Sequence, residues 1–242
     1  MALSWSMDKI GPICRSAQDC AMVLETIRGA DGIDQTVTNA PFNYYGEVDL
    51  SQLKIGYFKD YFDSNYGNKK ADSVSLAVLQ ELGADLQPVS FETEIPVGAL
   101  SVILTAEAAA AFDELTRTNQ DSLLTRQMRQ AWTNLFRTAR FIPAVDYINA
   151  NRIRTQLLQE FHKMIQEYDV IVTPSYGGNQ LLATNLTGHP CVVVPNGYQS
   201  QGGPASISFL GNLFDEATIL AVAKKYQEAT DFEDVHPPLF VP

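Results

Sequence analysis

The chain has 242 residues, long enough to bury a substantial core, and 45% hydrophobic with 19% charged residues excludes general disorder. Lys and Arg number 17 against 28 Asp and Glu, and the resulting net charge of −11 argues against a nucleic-acid partner, because phosphate backbones are repelled. The apolar stretches around Val97–Leu104 and Ala106–Phe112 are interrupted and too short to span a bilayer. With no basic, apolar leader over the first nine residues, a cytoplasmic protein without membrane contact is expected.

In chain order, Ser16 and Asp19 form the start of a helix that Gly29 stops, with Cys20, Val23, Leu24 and Ile27 predicted to face inward. A polar, turn-rich connection through Asp31-Gly32, Asn43 and Gly46 follows. Leu53–Phe58 alternates as a half-buried strand. Ser73–Leu82 reads as a helix with Val74, Ala77, Val78 and Leu82 inward, and Leu86–Phe91 as a second strand. Pro88 lacks a ladder donor and places that strand at an edge or start. Helices are expected over Val97–Thr116, over Asp121–Ala139 and from Pro143 onward, the last with a stripe of Ile153, Leu157, Phe161 and Ile165. The β-branched runs Val170–Val172 and Val192–Val194 suit a sheet covered on both faces. A strand over Ala205–Leu210 and a helix over Asp215–Ala229 complete the order, and the proline-rich tail cannot extend that helix. The sum is an α/β fold, a mixed sheet flanked by helices, in one undivided unit over residues 1–242.

Chemistry-bearing motifs are few. Cys14, Cys20 and Cys191 offer neither a disulfide framework nor zinc spacing, so no metal or cofactor is expected. Ser6-Met-Asp-Lys9 matches a Ser-x-x-Lys nucleophile pattern, but Gly11-Pro12 follows at once and denies it the helix that the chemistry needs. His162 and His236 read as solvated, and His189 as a buried group held by a backbone hydrogen bond. No Gly-x-Ser-x-Gly, dinucleotide or P-loop pattern occurs, and the Gly-Gly turns at 177–178 and 202–203 read as structural. No nucleophile has a convincing activating base.

Three ordered blocks carry a family resemblance. Leu3-Ser-Trp-Ser-Met-Asp-Lys-Ile-Gly-Pro12 runs into Arg15-Ser-Ala-Gln-Asp19. Asp169-Val-Ile-Val-Thr-Pro174 precedes Ala183-Thr-Asn-Leu-Thr-Gly-His-Pro-Cys-Val-Val-Val-Pro-Asn-Gly197. Gly203-Pro-Ala-Ser-Ile-Ser-Phe-Leu-Gly211 leads to Phe214-Asp-Glu216. Together with Ala106-Glu107-Ala108 and Leu82-Gly83-Ala84, this set resembles the part of the amidase-signature family that follows its Gly/Ser-rich signature. The resemblance implies the C-terminal part of an α/β/α amidase fold. Its members hydrolyse amide C–N bonds with a Ser-cis-Ser-Lys triad, in which Lys activates a bridging Ser and that Ser activates the nucleophile.

In family order the triad precedes the Ser-x-Asp-x-x-Gly-Pro block, so no position here receives it. Ser4 and Ser6 lie after the signature. The resemblance therefore implies a C-terminal amidase fragment with no catalytic residue of its own, inactive alone. Its expected partners are the missing N-terminal half, or a second copy through an exposed sheet, and in the intact enzyme a small amide. The alternative is a binding or scaffold module that kept the fold without its catalysis. Arg129, Asn179 and Gln180 fall where the family places pocket-lining polar residues. Glutamine-using members carry an acid in the loop corresponding to Tyr176–Leu182, and none is present there.

Overall fold

The computed structural model describes residues 2–199 and 202–236; the tail prolines Pro237, Pro238 and Pro242 lie outside them. The first helix, α1 (Ala17–Ile27), starts where Ser16 Oγ accepts the Asp19 N–H at 3.0 Å. Its buried face is Ala17 and Ala21, with Cys20 and Leu24 beside it, while Val23 and Ile27 are exposed. The helix is thus rotated from the expected stripe, because small residues allow it to approach α9 (Glu216–Glu228) closely.

A βαβ unit follows: β1 (Ile55–Phe58), α2 (Lys59–Asp63), α3 (Lys69–Glu81) and β2 (Leu86–Val89). Helix α3 begins four residues earlier than expected and buries Asp72, Ser75 and Leu79, leaving Val74 and Ala77 exposed. The reason is a buried polar junction: Asn196 Nδ2 donates to Asp72 Oδ1 at 2.7 Å and to Ser75 Oγ at 3.0 Å. Hydropathy alone reads such a face backwards.

The middle is helical: α4 (Ser101–Ala111), α5 (Asp113–Arg117), α6 (Trp132–Ala139) and α7 (Ala144–Ile165). The helix expected over 121–139 is real only in its second half. Asn119 takes a left-handed conformation, and the Gln127 side chain donates to the carbonyls of Asp121 and Leu124 at 3.0 and 2.8 Å. Those carbonyls are satisfied from the side, and the Arg137–Asp121 ion pair at 2.6 Å pins the segment against α6. Pro143 precedes α7, where its fixed φ suits a helix start. Leu157, Phe161 and Ile165 are buried on α7, while Ile153 lies at the margin of exposure.

Strands β3 (Val170–Pro174), β4 (Cys191–Tyr198) and β5 (Pro204–Gly211) complete a five-stranded sheet of order β2-β1-β3-β5-β4. Pairing is parallel for β1 with β2 and with β3, and antiparallel for β5 with β3 and with β4. The sheet is mixed and β2 is an edge, as Pro88 requires. Every residue of β3 is buried, as its apolar run demands. The similar run in β4 instead occupies the other edge, with Val193 56% exposed. Composition cannot distinguish a central strand from an edge strand bounded on one side by an unpaired backbone.

Alternation on β3 and β5 divides the core. Val170, Val172, Ile207 and Phe209 meet α1, α3 and α9 on one face. Ile171 and Leu210 face α4, α7 and α8 (Gln180–Thr187) on the other. Each such side chain contributes roughly 1.5–3 kcal/mol through burial. The segment before β4, expected as a loop, is largely helix. Gly188 at φ +82 closes α8 and donates its N–H to Thr184 O at 2.9 Å, the left-handed stop that its lack of a Cβ allows. Among the described residues no helix is long and apolar enough to cross a membrane.

Candidate functional site

The second core layer ends in a buried polar junction built around the first residues of the chain. Residues 4–8 make a tight turn in which Ser4 O accepts from Met7 N and Asp8 N at 3.2 and 2.8 Å. Asp8 closes it by accepting the Leu3 N–H at 2.7 Å and the Ser4 N–H at 3.2 Å. Met7 then packs into the core.

This turn presents Ser4 and Ser6 to Glu107, the one carboxylate in the alanine-rich α4. Glu107 is 1% exposed and accepts from Ser4 Oγ, from Ser6 Oγ at 2.7 Å, from Ser6 N at 3.3 Å and from Tyr147 OH at 2.8 Å. Burial works to raise its pKa, but the hydrogen bonds from Ser4, Ser6 and Tyr147 together outweigh it and hold the carboxyl below its ordinary range. Arg154 of α7 completes the junction, donating to Ser6 Oγ at 2.7 Å, Ser6 O at 2.6 Å and Leu186 O at 2.6 Å.

The chemistry of this junction is that of a clamp. The Ser6 proton points at a carboxylate of weak basicity, and a guanidinium occupies the oxygen's acceptor side. Lys9, the other half of the Ser-x-x-Lys match, donates to His189 O at 2.7 Å and Thr184 O at 3.2 Å, at the C-terminal end of α8, where helix carbonyls favour a cation. Burial lowers its pKa.

His189 is fully buried, its Nδ1 2.9 Å from Thr187 Oγ1. The bond is to a side-chain hydroxyl, where a backbone partner was expected. Phe161 packs edge-on against the ring with centroids 5.0 Å apart. Burial, with the charges of His162 and Lys9, pushes its pKa down to about 4, so the ring is neutral at pH 7. His162 and His236 are exposed. Cys14, Cys20 and Cys191 are free thiols, and the described residues contain no group of three potential metal ligands.

The structure brings two of the three expected polar residues together. Asn179 and Gln180, at the start of α8, both line a cavity of ≈ 220 Å³. Gln180 is buried, and its Nε2 donates to Ser175 O at 2.9 Å and Pro174 O at 3.3 Å. Asn179 is exposed at the rim. Arg129 lies exposed in the irregular segment before α6 and does not line that cavity. The Gly177-Gly178 turn is structural for a specific reason. A Cβ at Gly178 would lie 2.2 Å from the Tyr61 ring, so only glycine lets the turn rest on it.

Glu107, Tyr147, Arg154 and Tyr61 carry no expected role from the sequence. Glu107 was the one with a visible signal, a lone acid within an apolar run on a buried helix.

A family model described as Amidase matches residues 1–182. The chain is 26% identical to the glutamyl-tRNA(Gln) amidotransferase A chain of Oceanobacillus iheyensis, over 99% of this chain and 58% of that protein. The chain thus spans about three-fifths of the length of the curated relatives it matches. Among solved structures, an amidase family protein from Bacillus anthracis superposes with a TM-score of 0.76 at 18% identity, covering 98% of this chain and 51% of that one. The native peptide amidase of Stenotrophomonas maltophilia gives 0.76 at 20% identity, covering 95% and 55%. These two likenesses establish the shared fold.

Proposed function

The chain belongs to the amidase family, and on that footing we propose that it supplies the supporting sheet and one pocket wall of an amide C–N hydrolase whose nucleophile lies outside these 242 residues. The observation that carries the proposal is the state of Ser6. The one serine with a lysine at nucleophile spacing is clamped between Glu107 and Arg154, and its lysine is occupied by two carbonyls. The absence of a Gly/Ser-rich signature from the sequence supports the same reading.

On this proposal the chain is inactive alone and works with a segment bearing the Ser-cis-Ser-Lys triad. The exposed apolar side chains of Trp5, Ile10 and Ile13, at 64%, 92% and 99%, favour such a partner over a self-sufficient binding module. The amidotransferase relative is by its name one component of an assembly, which accords with partner dependence. Asn179 and Gln180 are proposed as polar substrate contacts, supported by their shared cavity. For Arg129 the support is the resemblance alone. The loop Tyr176–Leu182 has no acid to hold an amino group, which favours an uncharged amide over glutamine.

The test is an assay against aryl and aliphatic amides, with the chain alone and with a second polypeptide carrying the family's signature region. No turnover alone, turnover on mixing, and no effect of Ser6→Ala on that turnover are expected. Turnover by the purified chain alone that survives Ser6→Ala would sink the proposal.

A further inference from the structure

The cavity beneath the turn after β3 has a composition that selects its occupant. Phe58 of β1, Phe91 and Phe161 of α7 contribute aromatic walls, and the ring centroids of Phe91 and Phe161 lie 5.2 Å apart in an edge-to-face arrangement. Tyr61 of α2 lines it too, and the Gly177-Gly178 backbone presses on that ring. Among the described residues no Asp, Glu, Lys, Arg or His lines the cavity, so an ion entering it would lose its hydration without a counter-charge. A cavity of about 150 Å³ accepts benzene. The ≈ 220 Å³ here therefore holds one six-membered ring and a substituent of a few heavy atoms.

The polar atoms specify that substituent. Asn179 is exposed at the rim, and its carboxamide enters no hydrogen bond among the described residues. A carboxamide is complementary to a second one: each offers one acceptor and one donor in the same plane. Next to it, Gln180 has its Nε2 committed to Pro174 O and Ser175 O, which fixes the amide's orientation and leaves Oε1 buried without a partner. A buried acceptor in that state is a standing penalty that a ligand donor removes.

We propose that this cavity binds a neutral, single-ring primary carboxamide, with its ring among Phe58, Phe91 and Phe161. Its carbonyl and one N–H pair with Asn179, and its second N–H is accepted by Gln180 Oε1. The inference rests on the reading of Asn179 and Gln180 as substrate contacts and narrows the substrate class to aryl primary amides.

The test is titration of the ¹⁵N-labelled full chain with benzamide, N,N-dimethylbenzamide, benzoate and acetamide, following the side-chain amide signals. Benzamide is expected to shift the Asn179 and Gln180 carboxamides. The dimethyl compound, which has no N–H, is expected to bind about tenfold more weakly. Benzoate, a charge, and acetamide, without a ring, are expected to give no shift at those signals. Ala183→Leu, which fills the cavity from α8, is expected to abolish benzamide binding. If that variant fails to fold, the ligand series on the unaltered chain decides alone. Equal affinity for benzamide and its dimethyl derivative, shifts confined to other residues, or no binding overturns the proposal. Because binding is read without turnover, failure here is distinguishable from failure to complement a nucleophile-bearing segment.

Discussion

Arg154 holds Ser6 by both of its oxygen atoms, Nη1 2.7 Å from Oγ and Nη2 2.6 Å from the carbonyl oxygen. Its Nε simultaneously takes Leu186 O, so one planar group joins the N-terminal turn, α7 and the end of α8. The fork matters as much as the charge. A lysine at 154 presents a point charge that cannot satisfy three acceptors in these directions. Arg154→Lys is expected to lower stability by about 2–3 kcal/mol, read as a shift of the urea midpoint. A change under about 0.5 kcal/mol, the size of an ordinary surface substitution, contradicts the clamp.

His189 makes stability depend on pH in a defined window. Its folded pKa of about 4 lies below the ordinary value of 6.5, so between those values the unfolded chain binds the proton and the folded one does not. Stability therefore rises with pH there. The contribution is complete above about pH 6.5 and is lost as pH falls toward 4, on the order of 3 kcal/mol at 1.36 kcal/mol per pKa unit. Urea midpoints measured from pH 7 to pH 4 should decline, and His189→Gln should flatten that slope. Glu107 adds a second loss at lower pH. Its folded pKa is depressed, so its contribution is present above the ordinary carboxylate value and disappears as pH falls through the depressed one.

Gly178→Ala tests the contact between the turn and Tyr61. The added methyl would meet ring atoms at 2.2 and 2.3 Å, at a φ of +59 that also disfavours a side chain. A loss of about 1–3 kcal/mol is expected. Adding Tyr61→Ala should cost less in the Gly178→Ala background than in the unaltered chain, because the clash is gone. Strictly additive losses in a double-mutant cycle would show that the turn and the ring are uncoupled.

Leu157 is completely buried on the α7 face that meets the sheet. Leu157→Ala is expected to cost about 2–5 kcal/mol, measurable by thermal or urea unfolding. A cost below about 1 kcal/mol would mean that the second core layer repacks easily.

The fold was legible in the sequence wherever burial and hydropathy coincide. Val170–Val172, Leu157 and Phe161 announce themselves because their environments are apolar on every side. Legibility failed where a polar group is buried with a partner remote in sequence. Asp72 and Ser75 face inward because Asn196 meets them, and no local pattern records that. The same holds for the 124–131 segment, where Gln127 and Arg137 replace helical bonding. At the candidate site, Asn179 and Gln180 were reached through the family resemblance, and the structure places both on one cavity. Glu107 and Arg154 were not reached, since their roles depend on contacts that span much of the chain.

Those contacts also set an order of events during synthesis. Ser6 is held by Glu107 and Arg154, and Lys9 by the carbonyl of His189, 180 residues further on. A ribosome releases the strap before its anchors, so residues 3–9 wait unfastened until nearly four-fifths of these 242 residues have emerged. Until then Met7 has no core to enter and the two serines have no carboxylate. The strap, made well ahead of its anchors, is thus among the last segments to become native, and its closure depends on an α8 that is already formed.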